Sequence, residues 1–137
     1  MKVHGKTIRD TFWISEDVFD LSKDAKLLYI YIITNNFSHF TGIYRMNFGQ
    51  AGVELRMDSD EILSSFDEVV SKGKIFYDKD TMVIFAKNII KYAIPGFPEG
   101  ITKFHRIGVK NHFSKIPKTY LCDEFYRMYP MMKLGAK

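Results

Sequence analysis

Side chains that could act in catalysis are present, but they lack the spacing that catalysis requires. The four histidines fit no metal site shared with carboxylates: His4, His39, His105 and His112. His105 and His112 fall on the apolar side of a predicted helix, where packing explains them. Cys122 is the single cysteine, with no partner for an internal disulfide and no evident activating base. The sequence therefore predicts a protein that is not an enzyme and that uses no metal or cofactor.

Basic side chains in the second half of the chain are better candidates for function. Residues 1–68 carry 7 Lys and Arg against 11 Asp and Glu, whereas residues 69–137 carry 13 against 5. Excess positive charge attracts nucleic-acid phosphates, and lysine contacts phosphate without reading sequence. The predicted DNA-binding residues lie on a hairpin, just after it, and along a later helix: Lys74, Lys79, Lys87, Lys91, Lys103, Arg106 and Lys110. A basic surface that contacts only solvent would give the same counts.

Aromatic residues near these lysines could stack on the bases of single-stranded DNA. Tyr77, Tyr92 and Phe97 have suitable side chains, and core packing is the alternative for each. Phe104, in contrast, falls on the apolar side of a helix predicted over 99–116, opposite the basic residues. The periodicity therefore places Phe104 away from the predicted DNA-binding residues of that helix.

The helix that would ordinarily read DNA bases is acidic. Apolar residues over 59–71 recur at three- and four-residue spacing, which predicts an amphipathic helix. Its outward positions include Asp60, Glu61, Asp67 and Glu68, which phosphates would repel. We expect this face to contact solvent or another protein rather than the major groove.

The order of the elements predicts an α+β fold of the winged-helix type. Ser22, Asn47 and Ser59 are placed to cap three helices. A strand at 42–46 and a hairpin at 74–85, with its turn at 78–80, add a small antiparallel sheet and a wing. Together these elements make a helix-turn-helix with an attached wing.

Two parts of the chain are expected. Residues 1–92 would form the winged-helix domain, and residues 93–137 a helical extension packed on or beside it. In the extension, Pro98 suits the first position of the helix over 99–116. A short helix over 120–128 follows it.

The N-terminal arm is the candidate region for self-association. Residues 11–14 are consistent with a strand fragment or a hydrophobic lid, and Phe12, Trp13 and Ile14 are adjacent apolar residues within them. Beside the apolar first helix, they could lock onto a second copy and give a homo-oligomer. Packing on the chain's own core is the alternative.

Ordered pieces of the chain resemble a known family. They lie between about residues 10 and 120, at 12–13, 21–35, 42–44, 73–75 and 85–88. This set is similar to the N-terminal winged-helix region of phage and prophage replisome organisers, which are related to the DnaD-type primosomal proteins. The longer members of that family also carry a C-terminal helical domain, and nothing in this sequence resembles it.

The resemblance implies a role in the initiation of DNA replication. Such proteins bind origin or single-stranded DNA, self-associate through the winged helix, and help to load the replicative helicase. The expected partners are therefore DNA, the replicative helicase or its loader, and further copies of the chain. A winged-helix transcriptional regulator and a protein-docking adaptor that binds no DNA are the alternatives.

The cytoplasm of a bacterial host cell is the expected location. No apolar run reaches the roughly 18 to 20 residues that a membrane span requires. The first residues also lack the apolar segment of a signal peptide. We therefore expect no membrane partner.

Overall fold

A computed structural model describes residues 5–136 and shows an α+β fold. Within these residues, six α-helices surround one three-stranded antiparallel sheet. The helices are α1 (Lys23–Thr34), α2 (Phe48–Leu55), α3 (Ser59–Ser71), α4 (Ile89–Ala93), α5 (Lys103–Lys115) and α6 (Leu121–Met128). The strands are β1 (Ile43–Arg45), β2 (Phe76–Asp78) and β3 (Val83–Phe85), and two 3-10 helices cover Asp10–Ile14 and Pro130–Met132. This element order is compatible with a winged-helix arrangement.

Side-chain caps determine where the first three helices begin. Ser22 and Asn47 cap α1 and α2 through side-chain oxygens, as predicted. Helix α3 is capped by Asp58 rather than by the predicted Ser59. Asp58 accepts a hydrogen bond from the Glu61 N–H, and the Glu61 carboxylate accepts one from the Asp58 N–H. This reciprocal pair satisfies two backbone donors, which Ser59 alone would not do.

Helix α1 is the most deeply buried helix of the N-terminal half. Its buried residues face several neighbours at once, which explains why its sequence is apolar nearly all round: Ala25, Leu28, Tyr29, Tyr31, Ile32 and Ile33. Its 12 residues pack mainly against α3. Among residues 5–136, no helix combines the length and the apolar character that crossing a membrane would require.

Strand β3 is the centre of the sheet, because it pairs antiparallel with both β1 and β2. The hairpin that joins β2 to β3 confirms the predicted one, although its turn differs. Asp78 is the last residue of β2 and lies opposite Val83, so the turn falls at 79–82 and not at 78–80.

Alternating side chains along β3 give the molecule two apolar cores. Ile84 belongs to a first core with α1, α2 and α3, whereas Val83 and Phe85 belong to a second core on the other face of the sheet. The second core also takes side chains from the part of the chain that follows β3: Ile90, Ile94, Val109, Leu121, Phe125, Tyr129 and Met132. Helices α5 and α6 therefore cover the face of the sheet opposite α3.

The N-terminal segment is helical, so the strand fragment, one of the two alternatives for residues 11–14, is wrong. Asp10–Ile14 form one 3-10 helix, and the Ser15 N–H donates to the Phe12 carbonyl oxygen at its end. The Phe12 side chain is buried, with its ring against Tyr29. Local turn bonds and this contact fix the segment without a strand partner.

Helix α5 begins at Lys103, later than the predicted start at Glu99. The Thr102 hydroxyl accepts a hydrogen bond from the His105 N–H, and His105 Nδ1 accepts one from the Thr102 N–H. This capping box sets the helix start, whereas Pro98 lies in the turn before it.

Candidate nucleic-acid interface

Two of the predicted DNA-binding residues are engaged within the fold. Lys74 Nζ forms an ion pair with Asp20 Oδ1 at 2.9 Å and donates a hydrogen bond to the Glu16 carbonyl oxygen. Arg106 Nε donates to the Met131 carbonyl oxygen at 2.8 Å. Both side chains therefore join distant segments of the chain, and their contact with DNA stays a prediction.

The remaining five predicted lysines differ in exposure. Lys79, Lys91, Lys103 and Lys110 are exposed, and Lys87 is half-buried. The ion pairs found within residues 5–136 include none of these five side chains. Lys103 and Lys110 are two helical turns apart and therefore share one side of α5. Helix α5 thus presents two cations that no carboxylate of the described chain neutralises.

Helix α3 presents an acidic surface, and two of its carboxylates also stabilise the fold. Glu68 accepts hydrogen bonds from the Ser22 N–H and hydroxyl, both at 2.7 Å, and these bonds lower the pKa of Glu68. Glu61 completes the capping box, while Asp60 and Asp67 are exposed. Because α3 belongs to the first core and α5 to the second, the sheet separates the acidic surface from the basic one.

A cavity of about 560 Å³ opens beside the first turn of α5, and we call it the α5 cavity. Its walls come from segments far apart in the sequence: Gly5, Lys6, Ser38, His39, Phe40, Ala93, Ile94, Phe104 and His105. None of these lining residues carries a carboxylate. The cavity is therefore open to ligands that a negative wall would repel.

His39 is held in the wall of the α5 cavity by a ring stack and by hydrogen bonds. Its ring lies on that of His112, with centroids 3.5 Å apart and planes 4° from parallel. His39 Nδ1 accepts from the Thr41 N–H at 3.3 Å, which places the proton of the neutral ring on Nε2. His112 Nε2 donates to the Ile43 carbonyl oxygen at 2.6 Å. The stack therefore joins the loop before β1 to α5.

Burial keeps both stacked imidazoles uncharged. Burial, followed by the neighbouring His112 and Lys6, lowers the pKa of His39 from 6.5 to about 3. Burial also lowers the pKa of His112, although its hydrogen bond to Ile43 acts in the opposite direction. Both rings are neutral at physiological pH, so His39 contributes an N–H donor and no charge.

We expect acid to destabilise the fold through His39. Its pKa is lower in the folded chain than in the unfolded one, so its contribution is complete above pH 6.5 and is lost as pH falls toward about 3. One proton changes the free energy of unfolding by at most about 1.4 kcal/mol per pH unit, and partial exposure reduces this. Urea unfolding of wild type and His39→Gln across this window measures the loss. The variant should lose less stability per pH unit, and parallel losses would contradict this assignment.

The three aromatic residues predicted to stack on bases are packed within the fold, whereas a different aromatic residue is exposed. Tyr77, Tyr92 and Phe97 are half-buried, and each packs its ring against another aromatic ring of the chain. Phe104, which the periodicity places on the apolar side of its helix, leaves 81% of its surface exposed at the α5 cavity. An exposed stacking surface therefore lies on the side of α5 opposite its predicted basic residues.

Of the three predicted self-association residues, one is buried and two are exposed. Phe12 is 3% exposed and packs within its own chain, which is the alternative that the sequence left open. Trp13 and Ile14 are 54% and 74% exposed. Binding of a second copy through these two side chains stays a prediction.

Cys122, His4 and the residue types that bind metals are the remaining candidates for chemistry. Cys122 is half-buried, and its burial, with a smaller effect of Asp123, raises the pKa of the thiol to about 11. A protonated thiol is a poor nucleophile. His4 lies outside the described residues. In the range 5–136, no group of three or more His, Cys, Asp or Glu side chains is arranged to hold a metal ion.

The chain matches no family model, no curated protein and no solved structure at a significant level. Its function is therefore inferred from the exposed lysines, the acidic surface of α3 and the α5 cavity.

Proposed function

We propose that the protein is a non-enzymatic, DNA-binding winged-helix module that acts in replication initiation. In this assignment α2 and α3 are the helix-turn-helix, and the hairpin of β2 and β3 is the wing. The separation of charge across the sheet is the observation that carries the proposal. Carboxylates cover α3 on one side, and exposed lysines lie on the hairpin turn and on α5.

Contact with DNA is assigned to phosphates rather than to bases in the major groove. Lys103 and Lys110 project from one side of α5, and Lys79 and Lys91 add exposed charge before it. Such contacts tolerate many sequences and weaken as salt increases. Inserting α3 into the major groove would bring its carboxylates close to phosphates, at an electrostatic cost.

Replication is favoured over transcription by the resemblance to replisome organisers. In that role the replicative helicase or its loader would be a protein partner, and the acidic α3 surface is available for protein contacts. The exposed Trp13 and Ile14 are proposed to contact a second copy of the chain. Preference for single strands, or co-purification with a helicase or loader, supports replication. A specific footprint on a palindromic duplex would instead favour a transcriptional regulator.

Reversing the charge of Lys103 and Lys110 together is expected to weaken DNA binding by about tenfold or more at low salt. The double change to glutamate removes two phosphate contacts and adds two repulsions. The dependence of log affinity on log salt should also fall by about 2. Fluorescence anisotropy with a labelled oligonucleotide, repeated at several salt concentrations, measures both quantities.

Lys23 and Lys26 on α1 provide the matched control, because changing both to glutamate alters the net charge by the same amount. These residues lie on the first-core side of the sheet, away from α5. The control should keep most of the affinity at a given salt concentration. Equal losses in the two double variants would show that net charge, and not the α5 surface, governs binding. Undiminished binding by the Lys103 and Lys110 variant would refute the assigned surface.

A further inference from the structure

Several side chains that line the α5 cavity can donate hydrogen bonds. Ser38 Oγ is buried and has no hydrogen-bond partner within residues 5–136. Nδ1 of both His39 and His105 accepts a hydrogen bond from a backbone N–H, which leaves Nε2 of each ring as the donor. Lys6 adds an ammonium group. A cavity with these donors and no carboxylate suits a ligand that presents acceptor oxygens.

The same cavity has an aromatic side chain that the fold leaves uncovered. Phe104 lines it and is 81% exposed, whereas Phe40 packs edge-on against His105 with ring centroids 5.8 Å apart. One exposed apolar side chain is ordinary on a protein surface. An unpaired base binds where an exposed ring lies near polar and cationic groups. Phe104 lines a cavity with hydrogen-bond donors, and the exposed Lys103 precedes it in the chain.

We propose that the α5 cavity binds an unpaired nucleobase of single-stranded DNA. This inference rests on the proposed DNA-binding function and assigns a site to it. Phe104 stacks on the base, Nε2 of His39 and His105 donates to its carbonyl oxygens, and Lys6 and Lys103 attract the flanking phosphates. The cavity volume of about 560 Å³ lies within the range of about 300 to 1,000 Å³ that is usual for small-ligand sites.

The donor-rich wall favours thymine over adenine. Thymine presents two carbonyl oxygens as acceptors, whereas adenine presents ring nitrogens as acceptors and an amino group that the histidine N–H donors cannot pair. A duplex base cannot enter a recessed site without leaving its stack, which costs a few kcal/mol. The site therefore prefers a thymine-containing single strand to an adenine-containing strand and to a duplex.

The test measures fluorescence anisotropy of labelled oligodeoxythymidylate with the full chain and with Phe104→Ala. Loss of one stacked base should weaken binding by about tenfold. Phe19→Ala is the matched control, because Phe19 is 67% exposed and lies outside the cavity lining. Oligodeoxyadenylate of equal length and a labelled duplex are measured at the same salt concentration.

Three results together support the site. Phe104→Ala, but not Phe19→Ala, weakens thymidylate binding. Duplex binding is unchanged, and the wild-type chain prefers thymidylate to adenylate. Unchanged thymidylate binding by Phe104→Ala overturns it while leaving the α5 lysine surface intact. Preference for adenylate overturns it as well, because stacking would then outweigh the donor-lined wall. If the wild-type chain binds none of the three probes, the proposed function and this site both fail.

Discussion

Replacing Phe125 by alanine is expected to lower the free energy of unfolding by about 3 to 5 kcal/mol. Phe125 is fully buried in the second core, and its ring contacts those of Phe85, Phe113 and Tyr129. Removing it leaves a cavity between α6 and the central strand that rigid neighbours cannot fill. Urea unfolding followed by circular dichroism measures the change.

Met128→Ala is the control on the same helix. Met128 is 40% exposed, so its truncation removes little buried surface and should cost less than about 1 kcal/mol. If Phe125→Ala costs no more than this control, α6 does not anchor the second core as the structure indicates.

Replacing Gly42 by alanine is expected to cost about 3 kcal/mol or more. Gly42 has a φ of +80°, and an added Cβ would lie 2.2 Å from the Ala86 carbonyl oxygen. The Ala86 N–H donates to the Gly42 carbonyl oxygen at 2.8 Å, so the two backbone segments cannot separate without losing that bond. Thermal or urea unfolding measures the loss.

Gly73→Ala separates the close approach from the backbone strain. Gly73 has a φ of +73°, similar to that of Gly42, but open space surrounds the position of its Cβ. Its replacement should cost only the strain of a left-handed residue, about 1 to 2 kcal/mol. Equal costs at the two positions would show that the contact with Ala86 is not limiting.

The local elements of the fold were predictable because their signals lie within a few residues of each other. Ser22 and Asn47 cap the helices that they were expected to cap, and the hairpin follows from two β-branched runs around polar turn residues. The start of α5 was missed because Pro98 and Thr102 both suit a helix start. Only the capping box with His105 decides between them.

The candidate site was less predictable, because it depends on contacts between distant residues. Nothing near Lys74 in the sequence indicates that Asp20 will pair with it, and nothing near Arg106 indicates the Met131 carbonyl. Periodicity places Phe104 on one side of α5 but cannot say how far the neighbouring elements cover that side. The local signal that could have indicated a binding surface is an aromatic residue, Phe104, next to Lys103 at the start of a helix.

The α5 cavity could not be foreseen at all from local patterns. Four separate parts of the chain form it: the first described residues, the loop before β1, the end of α4 and the start of α5. Its histidine donors depend on which ring nitrogen of His39 and His105 accepts a backbone N–H, and only the folded chain brings these groups together.

The sheet that separates α3 from α5 also gives the molecule an electric dipole moment. Residues 1–68 have a net charge of −4 and residues 69–137 one of +8, and the two helices that display much of this charge lie on opposite faces. In the field of a polyanion such a molecule turns before it makes any contact. In the proposed function it arrives with α5 toward the DNA and with α3 toward solvent, so the surface that DNA repels stays accessible to a protein partner.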